Sequence, residues 1–193
     1  DDCAPGRCAN AALPPELSYG LRAAPAPSTA RPAAVLLLLF AREGRWHVPL
    51  TVRPDHMTRH RNQISLPGGM VETDESSDRA ALRELAEELG PQTNLTLLGQ
   101  LPSVYVYASN CDVTPWVAAA ATPPTWDPSP AEVARVIEMP LDTVATEARG
   151  AMDVRYGKLH FRAPCYQVGQ DRIWGATAVV LSELCELLGR IND

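Results

Sequence analysis

The stretch SLPGGMVETDESSDRAALRELAEELGP, residues 65–91, decides how the rest of the chain is interpreted. Its second half places alanines and leucines at helical spacing, and most of its residues are strong helix formers. Asp74, Ser76 or Ser77 can cap the start of this helix, and the Gly90-Pro91 pair ends it. The stretch therefore predicts a Gly-Gly turn that leads into one short amphipathic helix.

Three glutamates crowd onto one face of this predicted helix. Glu84 stands three and four residues before Glu87 and Glu88, so the three carboxylates project on the same side. Like charges at this spacing cost roughly 0.2–0.5 kcal/mol per exposed pair. A solvated acidic face, which tolerates that cost, is one interpretation. The other is a site for Mg²⁺ or Mn²⁺, because these cations prefer carboxylate oxygens and would remove the repulsion.

The order of the residues resembles the signature of a known family. Counted from Gly69, the pattern G-x5-E-x7-R-E-U-x-E-E-x-G-U of the Nudix box is followed, where U is a bulky apolar residue. The last position alone differs, since Pro91 replaces the usual aliphatic residue. The resemblance implies the α/β Nudix fold, an α/β/α sandwich with a mixed β-sheet. It also implies hydrolysis of a pyrophosphate bond with Mg²⁺ or Mn²⁺ as cofactor.

The resemblance further implies roles for the box residues. Metal binding would come from the acidic face of Glu84, Glu87 and Glu88, with assistance from Glu75. The carbonyl oxygen of Gly69 is a further candidate ligand, because a glycine turn lets the backbone approach an ion closely. Arg83 is expected to orient a box carboxylate through a bidentate pair, with Glu75 as the candidate; an exposed ion pair of little energetic value is the alternative.

Two residues are candidates for the general base. Glu88 is one, because a carboxylate at such a site can both contact the metal and take a proton from water. Glu132 is the other, because it opens a predicted strand directly after the proline-rich segment TPPTWDPSPAE and would reach the site from there. An exposed strand residue is the alternative for Glu132.

A basic segment precedes the glycine turn. Residues 50–69, LTVRPDHMTRHRNQISLPGG, concentrate arginines and histidines in a chain whose net charge is −6. Such a patch would dock a polyphosphate beside the acids, although a solvated loop is the alternative. Trp174 is expected to stack on a ligand or to shape a pocket wall, unless it is core. The predicted substrate contacts are Arg53, Arg59, His60, Arg61, Gln63 and Trp174.

This basic segment resembles the one that marks coenzyme A diphosphatases among Nudix hydrolases. The matching residues are Leu50, Thr51, Arg53, Pro67, Gly68 and Gly69, and the departures are Pro49, Pro54, Thr58, Asn62 and Leu66. The later stretches VTPWVA, DPSPAEVARVIEMPLDTV and RIWGATAVVL also resemble that group. The resemblance implies cleavage of coenzyme A or its thioesters to 3',5'-ADP and 4'-phosphopantetheine.

Two alternatives stay open at this point. A Nudix pyrophosphatase acting on ADP-ribose, dinucleotides or nucleoside triphosphates would share the whole box. A non-catalytic, nucleotide-binding Nudix-fold module would instead be marked by loss of a box glutamate, and all four are present.

The rest of the chain predicts one globular domain. The 193 residues are 46% hydrophobic, which is enough for one core; residues 1–30 are a Pro/Ala-rich lead-in, partly disordered or helical, and residues 31–193 form the domain. Strands are predicted at 34–40, 46–52, 95–101, 113–120 and 132–139, with hairpins at 152–164 and 165–175 and a closing helix at 176–188.

Composition excludes several classes of partner. The longest apolar run, residues 33–41, has nine residues, far fewer than the roughly 20 that cross a membrane. The acidic balance and the lack of a basic stripe with aromatics disfavour nucleic acid. No signal peptide is visible, and five scattered cysteines without zinc spacing predict reduced thiols and a cytoplasmic location. The expected partner is a small-molecule substrate, and both a monomer and a homodimer remain open.

Overall fold

A mixed β-sheet forms the centre of the molecule in the computed structural model, which describes residues 26–55, 62–106, 108–146, 150–156 and 159–192. Within these residues the sheet has eight strands: β1 Arg31–Arg42, β2 Arg45–Val52, β3 Ile64–Ser65, β4 Gly68–Met70, β5 Leu95–Gln100, β6 Val104–Val106, β7 Cys111–Ala120 and β8 Arg135–Pro140. The main order is β3-β2-β1-β7-β5, with β4 on β1, β6 on β7 and β8 on β2. The β1–β7 pair is parallel and the other pairs are antiparallel.

A smaller antiparallel sheet and three helices complete the described part of the chain. The sheet has the order β11-β10-β9, from β9 Gly150–Tyr156, β10 Leu159–Val168 and β11 Asp171–Trp174. The helices are α1 Ser77–Leu89, α2 Leu141–Thr146 and α3 Gly175–Asn192. None of the described helices is long and apolar enough to cross a membrane.

The central strand β1 explains the layers. Alternate residues of a strand point to opposite faces, and β1 is apolar on both. Leu36 and Leu38 pack in one buried cluster with residues of α1, whereas Leu37 and Leu39 pack in another with residues of α3. Burying each leucine contributes roughly 1.5–3 kcal/mol. The main sheet therefore lies between α1 and α3, which confirms the predicted α/β/α sandwich with a mixed sheet.

Most of the predicted elements are present; the ends of the five separately predicted strands differ by at most three residues, and α3 ends four residues later than predicted, at Asn192. The hairpin turn at Gly169 is present, whereas the predicted turn at Gly157 and Lys158 and most of the 1–30 lead-in lie outside the described residues. Short elements were missed, namely α2, β3, β4 and β6. Cys111, Cys165 and Cys185 are free thiols.

The predicted strand at 132–139 needs a correction that matters for the site. The strand begins only at Arg135, and Glu132 lies in a turn before it. The backbone N–H groups of Glu132 and Val133 both donate to the carbonyl of Ser129, at 3.0 and 2.8 Å. These turn hydrogen bonds replace the ladder hydrogen bonds that a strand would need.

Candidate active site

The glycine turn brings backbone unusually close to the box helix. Gly68 and Gly69 lie on β4, paired with Val35 and Ala34 of β1. A Cβ atom at Gly69 would lie 2.7 Å from Glu84 Oε2 and closer still to Oε1. A Cβ atom at Gly68 would instead lie 2.6 Å from Val35 Cα. At Gly68 the backbone of β1 leaves room only for glycine, whereas at Gly69 a Cβ atom would displace the Glu84 carboxylate.

Arg83 organises the acids of the box. Its Nε and Nη2 donate to the two carboxylate oxygens of Glu75, at 2.9 and 3.0 Å. Nη1 donates to Glu84 Oε1 at 2.9 Å and to Glu87 Oε2 at 3.0 Å, and Nη2 also donates to the carbonyl of Met70 at 3.0 Å. The predicted pair between Arg83 and Glu75 is thus present and bidentate, and it lowers the pKa of Glu75.

Glu88 is the buried member of the acidic face. It is 5% exposed, and its Oε2 has no hydrogen-bond partner among the described residues. Burial raises the pKa of Glu88 to about 7, and the charge of Arg53 and hydrogen bonds from the Gly68 N–H and the Thr51 hydroxyl act in the opposite direction. The site therefore holds one carboxylate oxygen that is shielded from water and not used within the described protein.

Glu84 and Glu87 differ in exposure. The side chain of Glu84 is 15% exposed and that of Glu87 is 53% exposed. Burial raises the pKa of Glu84, the hydrogen bond from Arg83 lowers it, and the negative charge of Glu132 raises it. Glu132 is exposed, and its turn is hydrogen-bonded to the end of α1 through Ser129.

The acidic face fits a divalent cation in its chemistry. Its donors are carboxylate oxygens, which suit Mg²⁺ and Mn²⁺, and the Glu88 Oε2 atom needs a partner. No three acidic, histidine or cysteine side chains converge as a ready-made metal site in the described part of the chain. The reason is visible in Arg83, whose Nη1 bridges Glu84 and Glu87 and supplies the positive charge between them.

The basic segment is described only in part. Arg53 lies beside the acidic face, and its backbone N–H donates to the Gln63 carbonyl at 3.1 Å. His56, Arg59, His60 and Arg61 lie outside the described residues. The structure therefore places one predicted substrate-binding cation at the site.

Trp174 lies on a strand of the smaller sheet that packs beside the end of the basic segment. It is half-buried on β11, opposite Cys165 of β10, and β11 packs beside β3. The Thr177 hydroxyl of α3 donates to the Ile64 carbonyl of β3 at 3.4 Å. The strand that carries Trp174 therefore lies beside the end of the basic segment. No described contact joins Trp174 to the box glutamates.

Sequence reasoning missed two participants. Thr51 matches the diphosphatase segment, but its lowering effect on the pKa of Glu88 depends on how β2 lies in the folded sheet. The second is the loop before β8, where the N–H groups of Asp127 and Ser129 donate to the carbonyls of Leu89 and Glu88, at 3.0 and 2.9 Å. The prolines of that loop were the available signal, since they marked an irregular segment.

Comparison with known proteins assigns the family. The NUDIX domain matches residues 30–159 of this chain. The chain belongs to the Nudix family. An "Uncharacterized Nudix hydrolase NudL" from Enterobacter sp. (strain 638) is 35% identical over 162 residues, covering 82% of this chain and 83% of the relative. A NudL from Pectobacterium atrosepticum is 34% identical over 138 residues, covering 70% and 71%. The chain is therefore a Nudix hydrolase.

Solved structures support the Nudix fold. The crystal structure of a Nudix hydrolase from M. smegmatis, RenU, matches with a TM-score of 0.60 and 22% identity, covering 84% of this chain and 88% of that one. A MutT protein from Methanosarcina mazei Go1 matches with a TM-score of 0.53 and 17% identity, covering 83% and 95%. At these identities the likeness shows the fold alone. Nudix hydrolases as a family generally use divalent metal ions, and the carboxylate oxygens of the acidic face are donors that suit such ions.

Proposed function

We propose that this Nudix hydrolase cleaves the pyrophosphate bond of coenzyme A or its thioesters, giving 3',5'-ADP and 4'-phosphopantetheine or its acylated form. The observation that carries the proposal is the position of Arg53. It belongs to the segment that resembles coenzyme A diphosphatases, and its positive charge acts on the buried Glu88. A cation beside the acidic face is suited to holding an anionic nucleotide phosphate next to the metal-binding acids.

In this proposal Glu84, Glu87 and Glu88, with the Gly69 carbonyl oxygen, hold Mg²⁺ or Mn²⁺. The cation supplies neutralisation of the charge on the diphosphate. Arg83 can release Glu84 and Glu87, because its Nε and Nη2 still anchor it on Glu75. That anchor keeps the glycine turn and the helix in register, since Nη2 also bonds the Met70 carbonyl.

The reaction is hydrolysis at phosphorus. A water oxygen forms a bond to one phosphorus, the bridging P–O bond breaks with its electron pair on the leaving phosphate, and the water gives up a proton. Two residues are the candidates to take this proton, namely Glu88 with its buried carboxylate and Glu132 in the turn that is bonded to the end of α1 through Ser129. The remaining predicted contacts, Arg59, His60, Arg61, Gln63 and Trp174, would bind the nucleotide and its substituents.

Product analysis by chromatography and mass spectrometry tests the proposal. The purified protein is incubated with Mg²⁺ or Mn²⁺ and, separately, with coenzyme A, ADP-ribose and NADH. We expect phosphopantetheine and 3',5'-ADP from coenzyme A, at a higher kcat/KM than for the other two substrates. An Arg53→Gln variant should lose coenzyme A turnover mainly through a higher KM, because the cation contributes phosphate binding.

The two alternative functions predict other results. Preferential cleavage of ADP-ribose or NADH would keep the box chemistry and contradict the coenzyme A assignment. Binding of these nucleotides without any cleavage would contradict the hydrolase mechanism and support the non-catalytic module.

A further inference from the structure

The loop that carries Glu132 is held at one end by an aromatic anchor. This loop, residues 123–132, contains no helix or strand. The indole Nε1–H of Trp126 donates to Glu138 Oε1 of β8 at 2.7 Å, and the indole ring packs edge-on against Phe40 of β1, with 5.7 Å between ring centroids. Arg42 donates a hydrogen bond to the Pro124 carbonyl and forms an ion pair with Glu138, each at 2.9 Å. Two strands of the main sheet therefore fix the loop at Trp126.

The middle of the loop is fixed to the end of α1. The last carbonyls of a helix lack partners within the helix. Here the Asp127 N–H donates to the Leu89 carbonyl and the Ser129 N–H donates to the Glu88 carbonyl. The Gln92 side chain donates to the Thr125 carbonyl at 3.2 Å. The hydrogen bond to the Glu88 carbonyl joins the loop to a residue whose side chain is part of the acidic face.

The far end of the loop sets the position of Glu132. The turn closed by the Ser129 carbonyl holds Glu132 in place, and the Ala134 N–H then donates to the Val52 carbonyl of β2 at 2.8 Å. Hydrogen bonds therefore fix the backbone on both sides of Glu132, and the bond from the Ser129 N–H to the Glu88 carbonyl places its turn beside the end of α1. Since Trp126 is six residues before Glu132, the anchor and the acid belong to one fixed unit.

We propose that Trp126 is a positioning residue that holds Glu132 against the acidic face through the 123–132 loop. This rests on the proposed function, because Glu132 acts on the reaction only if the box hydrolyses a pyrophosphate. The indole hydrogen bond to Glu138 fixes the loop, the loop fixes Glu132, and a carboxylate that drifts from its productive position loses rate without loss of substrate binding.

The test is the Trp126→Phe variant, which keeps a ring against Phe40 and removes the N–H donor. We expect kcat to fall about tenfold with KM unchanged, in the range seen when supporting residues of a site are lost. Trp116→Phe is the matched control. It removes an indole hydrogen bond of 3.1 Å to Ser77, which lies outside the loop, and it should keep kcat within about twofold of the wild type.

The double variant Trp126→Phe with Glu132→Gln tests whether Trp126 acts on kcat through Glu132. If Trp126 acts through Glu132, Trp126→Phe adds no further loss to a Glu132→Gln enzyme that is already slow, because residues that act as a unit are not additive. Equal fractional losses in both backgrounds, or a Glu132→Gln enzyme with wild-type kcat, would overturn the positioning role.

Hydrogen exchange gives a readout that does not depend on activity. The Asp127 and Ser129 amides should exchange faster in Trp126→Phe than in Trp116→Phe, and equal exchange would contradict the anchor. A wild-type protein that cleaves none of the three substrates would contradict the proposed function. An active wild type with an unaffected Trp126→Phe variant would contradict only the positioning role.

Discussion

Helices α1 and α3 both carry glutamates at close helical spacing, with one member of each set buried. Glu88 on α1 is 5% exposed and Glu183 on α3 is 4% exposed. Burial raises the pKa of each to about 7. On α1 the nearby Arg53 opposes that rise, whereas on α3 the charge of Glu186 adds to it.

The two helices differ in what surrounds their acids. Gly68 and Thr51 lower the pKa of Glu88 on α1, and Arg83 donates hydrogen bonds to the neighbouring carboxylates of Glu84 and Glu87. Glu183 lies on a helix whose buried face includes Leu181 and Leu184. Close spacing of glutamates on one helix is therefore not sufficient to form a metal site. The backbone of β4, the basic segment and the arginine are needed as well.

The largest effect is expected when the box loses a carboxylate. Glu84→Gln keeps the shape of the side chain but removes the negative charge that binds a cation. It should lower kcat/KM for the preferred pyrophosphate substrate by at least about 1,000-fold, more than the loss of a supporting residue causes. Glu183→Gln is the matched change on α3 and should keep kcat/KM within about twofold. Steady-state kinetics on both variants measure these changes in kcat/KM. Equal losses in the two variants would contradict the assignment of the site to α1 rather than α3.

A second test separates the two glycines of the turn. Gly69→Ala places a methyl group against the Glu84 carboxylate, so it should lower kcat/KM by at least about 100-fold while the thermal midpoint changes little, since a side chain can move aside. Gly68→Ala meets the backbone of Ala34 and Val35 and should mainly lower the thermal midpoint. Calorimetry and kinetics on the pair check this, and a reversed pattern would show that Glu84 does not depend on the glycine turn.

The smallest effect concerns stability on α3. A carboxyl whose pKa rises from 4.5 to about 7 on folding is neutral in both states below pH 4.5. It destabilises the fold increasingly from pH 4.5 to 7, and by a constant amount above that. Glu183→Gln should therefore leave stability unchanged near pH 4 and raise it by about 1–2 kcal/mol at pH 8, since the amide is also polar. Urea unfolding at both pH values measures this. A variant less stable at pH 8 would show that the ionised Glu183 is stabilised in the fold.

Local pattern was sufficient for the framework of the site. The leucine-rich run of β1 and the ends of α1 are properties of contiguous residues, so their positions could be predicted, although the N-cap residue Ser76 makes no side-chain capping hydrogen bond. The pair between Arg83 and Glu75 was also within reach, because both lie in one short segment of the box.

Contacts between distant segments were not predictable in the same way. Glu132 was assigned to a strand because the residues after it alternate. Its turn is determined by the Ser129 carbonyl and by the end of α1, more than 35 residues earlier in the chain. The roles of Thr51 and Trp126 likewise depend on strands that pack only in the folded protein.

The most direct test of the account is a Mn²⁺ titration by electron paramagnetic resonance on the wild type, Glu88→Gln and Glu183→Gln, with activity not required. We expect Glu88→Gln to weaken Mn²⁺ binding by at least about tenfold, as for loss of a ligand, and Glu183→Gln to bind Mn²⁺ like the wild type. Equal binding by all three proteins, or loss in Glu183→Gln alone, would contradict the assignment of the α1 acidic face as the metal site.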